Sequence, residues 1–425
     1  MTKEINLNHI CKIEGHANLT LKIEDNIVKV CQLKANEGAR FFEALVINKK
    51  IEDIQEIVSR ICGICSCSHS VAAVQALEEA LQIKPTEEQK IIRELLMIGE
   101  RLRSHVTHLY FLALPDYYNK ESALELGKEN KDKINDALAL ITLGNKIVEI
   151  FGGREMHPFL KIKQNLSKID TKLILEQLKD SKQLALKTID LFSKLDYPSL
   201  EREVDYLSLK EKNDYAIISG EISSKINSFC DNDYKKHLEE NIKEYATSKF
   251  VLKEGKPYML GAMARINNNH EQLDHETREK LKEILSKLKL TLPLKNPFYN
   301  NLCQAIETLF IVNRAIELIK NIPDKNEETN FKIREGNGIS AVEAPRGTLF
   351  HEYKINKEGI ITYCNIITPT CQNLNMIEQD ITQLVNQLLN QNTTKENIVR
   401  QIEKLIRAYD PCFSCSTHFL RVNWL

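Results

Sequence analysis

Residues 60–69 of the chain are Arg60-Ile61-Cys62-Gly63-Ile64-Cys65-Ser66-Cys67-Ser68-His69. A matching segment near the other end is Asp410-Pro411-Cys412-Phe413-Ser414-Cys415-Ser416-Thr417-His418. Each segment contains Cys-x-x-Cys followed closely by histidine, and two thiolates at that spacing can turn toward one metal ion. Cys67 stands outside the repeated arrangement and is interpreted as incidental. The four remaining cysteines predict a soft, sulfur-rich metal site.

The number of residues between the two cysteine pairs argues against a small zinc knuckle. Structural zinc sites usually take their cysteine pairs from within about 15–20 residues, whereas these pairs stand at opposite ends of the chain. A thioredoxin-like redox pair needs a neighbouring βαβ pattern, and a helical pattern follows here instead. Thiolates also suit nickel, copper(I) and iron, so ligand type alone leaves the metal open. The pattern favours a buried redox centre that joins both ends.

Composition excludes several other classes of protein. The chain has 425 residues, of which 42% are hydrophobic, and its 58 basic and 59 acidic residues give a net charge of -1. No general attraction to nucleic acid or anionic lipid is encoded. No run approaches the roughly 18 apolar residues of a membrane span, and the N-terminus lacks a signal peptide. We therefore expect a cytoplasmic protein whose 11 cysteines are free, metal-bound or catalytic.

Hydrophobic periodicity predicts a mainly α protein with small β elements, an α+β fold. Alternating apolar residues predict a β-hairpin over 18–34 and strands over 347–353 and 360–367. Apolar residues recurring every three and four positions predict helices over 70–81, 88–114, 121–150, 169–195, 273–288, 298–321 and 376–408. A capping box, Thr86 with Gln89, precedes the second of these helices. We expect a large multi-helix body whose metal site forms where the two cysteine motifs meet.

One obligate unit, residues 1–425, is expected rather than separable domains. Within it, residues 1–60 are expected to be rich in β structure and residues 61–340 to form a helical body. Residues 341–418 are expected to form a C-terminal β/α region with the metal site, followed by a terminal peptide, 419–425.

Both motifs, their positions and their neighbours resemble the large, catalytic subunit of nickel–iron hydrogenases, and the resemblance covers most of the chain. The family signature Arg-x-Cys-Gly-x-Cys-x-x-x-His is matched by Arg60, Cys62, Gly63, Cys65 and His69. The signature Asp-Pro-Cys-x-x-Cys-x-x-His is matched by Asp410, Pro411, Cys412, Cys415 and His418. The resemblance implies that Cys62 and Cys412 are terminal nickel ligands. It also implies that Cys65 and Cys415 bridge nickel to an iron carrying carbon monoxide and cyanide, and that His69 donates a hydrogen bond to a bridging sulfur.

Two N-terminal segments resemble further regions of the family. Lys12-Ile13-Glu14-Gly15-His16 is similar to the segment whose glutamate relays protons from the terminal cysteine, which implies this role for Glu14. Arg40-Phe41-Phe42-Glu43 is similar to the segment whose glutamate binds Mg²⁺ together with the C-terminal histidine. The resemblance therefore implies that Glu43 and His418 hold magnesium.

Two C-terminal segments resemble the family residues that surround the metals. Glu343-Ala344-Pro345-Arg346-Gly347 matches the segment whose arginine lies over the vacant metal position, which implies that Arg346 polarises H2 and that Asp410 orients it. Pro369-Thr370 implies a hydrogen bond from the Thr370 hydroxyl to a cyanide. Respiratory members carry an aspartate where this chain has Ser104, which favours the cytoplasmic, bidirectional type.

The function implied is reversible heterolytic cleavage of H2 by a catalytic subunit. An iron–sulfur small subunit would take the electrons, with further flavin or ferredoxin-like subunits, and a maturation endopeptidase would remove 419–425. No nucleic-acid partner is expected. The alternatives are a regulatory subunit that senses H2, a complex I-like subunit of the same fold, and a zinc-stabilised scaffold. All four cysteines are present, which disfavours the complex I-like alternative, and the terminal peptide disfavours a sensor.

Overall fold

A computed structural model describes residues 2–36, 38, 41–162, 171–323 and 331–417. Arg40, His418 and the terminal peptide 419–425, which the sequence analysis singled out, lie outside these residues. Among the helices of the described residues, none is both long and apolar enough to cross a membrane.

The N-terminal region contains a three-stranded antiparallel sheet in the order β1-β2-β3. Its strands are β1 (Thr2–Leu7), β2 (Ala17–Glu24) and β3 (Ile27–Ala35). Asp25 and Asn26 join β2 to β3 with left-handed φ angles of 50° and 60°, which matches the twist of a two-residue hairpin turn. The expected hairpin over 18–34 is confirmed.

Helices form most of the molecule. They are α1 (Phe42–Leu45), α2 (Ile51–Ser59), α3 (Ser66–Leu81), α4 (Glu87–Thr107), α5 (Leu114–Tyr117), α6 (Ala123–Glu129), α7 (Lys131–Gly152), α8 (Lys172–Phe192), α9 (Tyr234–His237), α10 (Ala262–Asn269), α11 (His275–Leu288), α12 (Asn300–Lys320), α13 (Pro369–Asn390), α14 (Lys395–Ala408) and α15 (Phe413–Ser416). The Thr86–Gln89 capping box opens α4 as expected, and a π-helical segment, His108–Ala113, joins α4 to α5. The mainly α fold class is confirmed.

The single helix expected over 376–408 is wrong, because the segment forms two helices. Asn392 has a left-handed φ of 55°, which ends the first helical path. Thr394 then caps α14 by accepting a hydrogen bond from the backbone N–H of Asn397. The helix expected over 121–150 is likewise divided, at Asn130, between α6 and α7.

Short strands interrupt the expected helical body. They are β4 (Asp205–Tyr206), β5 (Ser208–Lys210), β6 (Glu221–Ser223), β7 (Ser228–Phe229), β8 (Leu238–Ile242), β9 (Lys249–Lys253) and β10 (Tyr258–Met259). A further antiparallel sheet follows, in the order β11 (Gly336–Ala344), β12 (Gly347–Ile355) and β13 (Ile361–Ile367). Pro345 and Arg346 form the turn between β11 and β12.

Strand β11 packs directly on α3 and carries this turn toward the first cysteine motif. Gly336 lies against Ala80 near the end of α3, and Gly338 lies against Ala76 one turn earlier. The strand therefore runs back along the helix toward its start, which is where Cys65 stands. A Cβ built on Gly338 would overlap the carbonyl oxygen of Ala76, so only glycine allows this approach.

Replacing Gly338 by alanine is therefore expected to destabilise the chain by about 1–3 kcal/mol, because α3 and β11 must separate to admit the methyl group. The midpoint of chemical denaturation of the full chain measures this change. Gly127→Ala in α6 is the matched control, since its new Cβ would meet only Ile134 at an ordinary 3.7 Å. Equal midpoints for the two variants would contradict the packing described for Gly338.

Candidate metal centre

The two cysteine motifs meet in the interior of the protein. The Sγ atoms of Cys62, Cys65, Cys412 and Cys415 all lie within 4.8 Å of one another, and all four residues are buried. Sγ of Cys62 is 3.6 Å from Sγ of Cys412, and Sγ of Cys65 is 3.3 Å from Sγ of Cys415. Cys412 and Cys415 are joined as a disulfide here, and metal binding requires the reduced thiolates. The expected meeting of the motifs is confirmed.

Different segments of the fold position the cysteines. Cys65 is the residue immediately before α3, and Cys62 lies in the loop between α2 and α3. Cys412 pairs with Glu14 in a parallel β-bridge, and the N–H of Phe413 donates to the carbonyl oxygen of Glu14 at 2.9 Å. The N-terminal segment therefore holds the C-terminal motif through its backbone.

Glu100 of α4 caps the helix that follows Cys65. Its fully buried carboxylate accepts the backbone N–H groups of Cys67 at 2.5 Å and Ser68 at 3.1 Å. These N–H groups belong to the first turn of α3, where a carboxylate is stabilising. Sequence reasoning missed this residue, because nothing in its spacing links it to a motif 32 residues earlier.

Cys67 lies outside the metal-ligating group of four. Its side chain is buried, and burial raises the pKa of its thiol well above the usual value, with a further contribution from the nearby Glu100 carboxylate. A thiol in that environment stays protonated and unreactive. The position of Cys67 agrees with its interpretation as incidental.

The pKa values of the two N-terminal cysteines, Cys62 and Cys65, are shifted in opposite directions. A hydrogen bond from Cys65 lowers the pKa of Cys62, in opposition to burial. The same hydrogen bond, together with burial, raises the pKa of Cys65. Burial lowers the pKa of the Arg346 guanidinium, but Asp410 and then the two cysteines outweigh it and raise that pKa. The cluster therefore has a permanent cation, the Arg346 guanidinium, beside it.

Arg346 is held over the cluster by Asp410. Its Nε donates to the carbonyl oxygen of Asp410 at 2.6 Å, and its Nη2 donates to the Asp410 carboxylate at 3.0 Å. The third nitrogen, Nη1, is buried and has no hydrogen-bond partner among the described residues. Arg346 thus has a donor left over beside the cysteines.

A cavity of about 10 Å³ lies between the cluster and Arg346. Pro345, Arg346, Thr370 and His69 line it together with Cys65, Cys412 and Cys415. This volume is close to that needed for one water molecule.

Glu14 contacts the cluster through Cys412. Its Oε2 lies 2.9 Å from Sγ of Cys412, and its Oε1 accepts a hydrogen bond from the hydroxyl of Ser414 at 2.6 Å. The backbone N–H of Ser414 also donates to Oε2, at 3.2 Å. A proton on the Cys412 sulfur would meet a carboxylate oxygen at hydrogen-bonding distance.

Two more predicted residues contact the surroundings of the cluster. Nδ1 of His69 is 3.0 Å from Nε2 of His351, whose other ring nitrogen is 2.7 Å from the hydroxyl of Tyr353. The hydroxyl oxygen of Thr370 accepts the backbone N–H of Cys412 at 2.9 Å. Sequence reasoning assigned no role to His351 or Tyr353, which lie two residues apart on β12.

The predicted magnesium ligand Glu43 lies in a separate polar cluster. Its Oε1 accepts hydrogen bonds from Nζ of Lys249 and from the backbone N–H of Ile366, each at 2.8 Å. Lys249 also contacts Glu240 at 2.7 Å and the amide oxygen of Asn365 at 2.9 Å. Burial raises the pKa of Glu43 although Lys249 opposes this. His418, its expected companion, lies outside the described residues.

Residues 40–149 and 163–418 match the family model of the nickel-dependent hydrogenases. The chain belongs to this family. It is 36% identical to the alpha chain of sulfhydrogenase 1 from Pyrococcus furiosus over 428 residues, with 98% of both chains covered. It is 28% identical to the corresponding chain of the vhc F420-non-reducing hydrogenase from Methanococcus voltae, over 98% of this chain and 95% of that one.

A solved NAD+-reducing NiFe hydrogenase in its H2-reduced state has the same fold, with a TM-score of 0.89 and 23% identity over 98% of this chain and 99% of the other. The nickel–iron–selenium hydrogenase of Desulfovibrio vulgaris Hildenborough gives a TM-score of 0.78 at 21% identity, over 98% and 100%. The chain is the catalytic large subunit of a nickel–iron hydrogenase. The family membership argues against the complex I-like and zinc-scaffold alternatives.

Nickel content separates the four clustered cysteines from Cys67. Single alanine substitutions at Cys62, Cys65, Cys412 or Cys415 are expected to abolish nickel binding, because each removes one ligand from a four-thiolate site. Cys67→Ala is the matched control, since it removes a buried cysteine two residues from a ligand. Elemental analysis of the purified chains gives the nickel per polypeptide. If Cys67→Ala also lost its nickel, or if the other four variants kept theirs, the assignment of the four clustered cysteines as the nickel ligands would be contradicted.

Proposed function

We propose that the chain catalyses the reversible cleavage of H2 into protons and electrons at a nickel–iron centre held by the four clustered cysteines. The observation that carries the proposal is the arrangement of four buried sulfurs within 4.8 Å of one another. Soft thiolates in that number fit nickel and iron. Carbon monoxide and cyanide are proposed as further iron ligands. When bound, the metals would supply the redox chemistry that takes up the two electrons of H2, while the chain's own residues take up its protons.

The proton released in this reaction is proposed to leave through Glu14. Sγ of Cys412 would take the proton first, and Oε2 of Glu14 lies 2.9 Å away to receive it. Ser414 donates to the other carboxylate oxygen and so keeps Oε2 turned toward the sulfur. A proton acceptor held at hydrogen-bonding distance is the requirement for general acid–base transfer.

Three residues that line the cavity beside the cluster, Arg346, Thr370 and His69, are proposed to orient H2 and the diatomic iron ligands. Arg346 remains charged, and its buried Nη1 has no partner among the described residues, so this donor can meet a developing negative charge. Asp410 orients Arg346, and Pro345 fixes the turn that carries it. Thr370 would donate its hydroxyl hydrogen to a cyanide, and His69 would donate to a bridging sulfur.

Magnesium is proposed near Glu43, with His418 as its second protein ligand. Carboxylate and amide oxygens of Glu43, Glu240 and Asn365 surround Nζ of Lys249, and such hard oxygens are the ligands magnesium prefers. In this structure Lys249 provides the positive charge among them, so a bound magnesium would have to share these oxygens with the ammonium group. Elemental analysis for magnesium alongside nickel tests the site.

Electrons are proposed to leave through an iron–sulfur small subunit. Met156 and Phe159 are 48% and 51% exposed and lie three residues apart, so they offer neighbouring apolar side chains to a partner. Their segment contacts the first cysteine loop, since Met156 lies beside Gly63 and the N–H of His157 donates to Ser66. A partner that covers this surface would approach the cluster closely.

Further flavin or ferredoxin-like subunits are proposed to carry the electrons onward, in the cytoplasm. The similar proteins include an F420-non-reducing hydrogenase and, among solved structures, an NAD+-reducing one. H2-dependent reduction of NAD+ or NADP+ by the purified native complex, compared with reduction of a deazaflavin and of sulfur carriers, identifies the acceptor.

Glu14→Gln is expected to slow H2 turnover by about 10²–10⁴-fold, because an amide cannot accept and release the proton. Nickel content should stay unchanged, since Glu14 is not a metal ligand. Turnover with a soluble dye acceptor and elemental analysis of the same sample give both values. Glu24→Gln, an exposed carboxylate on β2, serves as control. Unchanged turnover in Glu14→Gln would remove the relay.

Charged substitutions in the exposed apolar segment are expected to weaken binding of the small subunit. Met156→Glu with Phe159→Glu should raise the dissociation constant by about 30-fold or more, the effect of losing a central apolar contact. Leu124→Glu on α6, where leucine is 84% exposed, is the matched control. Calorimetry or co-purification of the two subunits measures the change. Equal weakening by the control would contradict a specific interface.

The terminal peptide 419–425 is proposed to be removed by a maturation endopeptidase after nickel insertion. The mass of the chain in the active enzyme should therefore be lower than that of the translated chain by this peptide. Intact-protein mass spectrometry measures the difference. Active enzyme that retains all 425 residues would rule out cleavage.

A further inference from the structure

His108 is a buried histidine to which the proposed mechanism gives no role. It is the first residue of the π-helical segment His108–Ala113, and its side chain is 1% exposed. Its Nδ1 lies 2.5 Å from Oε1 of Gln304, and its Nε2 lies 2.7 Å from the carbonyl oxygen of Arg407. Single π-helical turns inside α-helices are frequent at functional sites.

The orientation of the Gln304 amide follows from its other neighbour. Nε2 of Gln304 donates to Oδ2 of Asp410 at 3.1 Å, while Oδ1 of Asp410 accepts from Nη2 of Arg346 at 3.0 Å. The arginine is charged at any working pH, so its ion-pair partner is a carboxylate. A reversed amide would place its oxygen against a carboxylate oxygen. Oε1 of Gln304 therefore faces His108.

Both atoms that contact the His108 ring are thus carbonyl oxygens, which only accept hydrogen bonds. Each ring nitrogen must carry a hydrogen to satisfy them, and an imidazole with two N–H groups is the cation. We propose that His108 is a buried imidazolium and a positioning residue that holds Arg346 over the cysteine cluster through Gln304 and Asp410. This inference rests on the proposed role of Arg346.

The buried surroundings give this chain of contacts its effect. Gln304, Asp410 and Arg346 are each no more than 5% exposed, so water cannot replace a lost partner. Hydrogen bonds from a charged donor are about twice as strong as neutral ones, which fixes the amide of Gln304 firmly. Without the hydrogen on Nδ1 of His108, Oε1 of Gln304 would lose its donor. The Gln304 amide would then be held less firmly, and so would its hydrogen bond to Oδ2 of Asp410.

The first test measures the charge of His108 directly. The full chain is labelled with 15N-histidine, and the His108 resonances are assigned by their loss in His108→Asn. Two ring nitrogens with similar chemical shifts are expected, as in an imidazolium. A widely separated pair, as in a neutral ring, would overturn the proposal. This measurement needs neither metal nor turnover.

The second test measures the effect on the centre. In the holoenzyme, Gln304→Leu is expected to shift the infrared bands of the cyanide ligands and to lower H2 turnover by about 10²-fold, the effect of a misplaced catalytic group. Asn301→Leu is the matched control, since Asn301 is an equally buried amide on α12 whose amide nitrogen contacts Tyr117 instead. Its bands should match those of the wild-type enzyme.

The results distinguish failure of the proposed metal centre from failure of the positioning role. Absence of carbonyl and cyanide bands from the wild-type enzyme would refute the proposed centre, while the nitrogen shifts would still report on His108. Normal bands that are unchanged in a folded Gln304→Leu enzyme would refute the positioning role alone. Melting temperatures of both variants establish that they are folded.

Discussion

Four sulfur ligands from opposite ends of the chain share one buried site, and the rest of the structure depends on this constraint. Thiolates repel one another, and removal from water makes their charge costly unless cations compensate it. The protein contributes Arg346, whose guanidinium pairs with Asp410 beside the cluster. The ends themselves are joined by backbone pairing between Glu14 and Cys412. The same pairing brings the Glu14 carboxylate to the Cys412 sulfur, so assembly of the site also places the carboxylate that we propose as its proton acceptor.

Helix α3 connects the cysteine site to the body of the protein through its packing contacts. Its first residue follows Cys65, and its first turn is capped from α4 by Glu100. Its flank is packed by β11 through Gly338, and β11 ends in the turn that carries Arg346. A shift of α3 would therefore move a metal ligand relative to the guanidinium. Precise packing around α3 thus serves the metal centre as well as stability.

Sequence reasoning succeeded where the signal is local. The capping box at Thr86 located the start of α4, and the two cysteine motifs identified the four cysteines that meet in the fold. It failed at the junction of α13 and α14, where apolar periodicity continues across a break marked only by Asn392 and a capping threonine. The short strands between 205 and 259 have too few residues to show a period of two. Their pairing depends on distant neighbours.

The contacts that Gln304 and His108 make behind Asp410 were beyond such reasoning for a different reason. Gln304 is 106 residues from Asp410 and 196 residues from His108 in the sequence, and neither Gln304 nor His108 belongs to a motif. The hydroxyl of Ser104 on α4 is buried without a hydrogen-bond partner among the described residues. Asp410 is the carboxylate that pairs with Arg346. The direction of the guanidinium therefore depends on the contacts that fix Asp410, and the amide of Gln304, which donates to its second oxygen, is one of them. This is how a buried amide, and through it the proposed imidazolium of His108, would influence a guanidinium that neither of them touches.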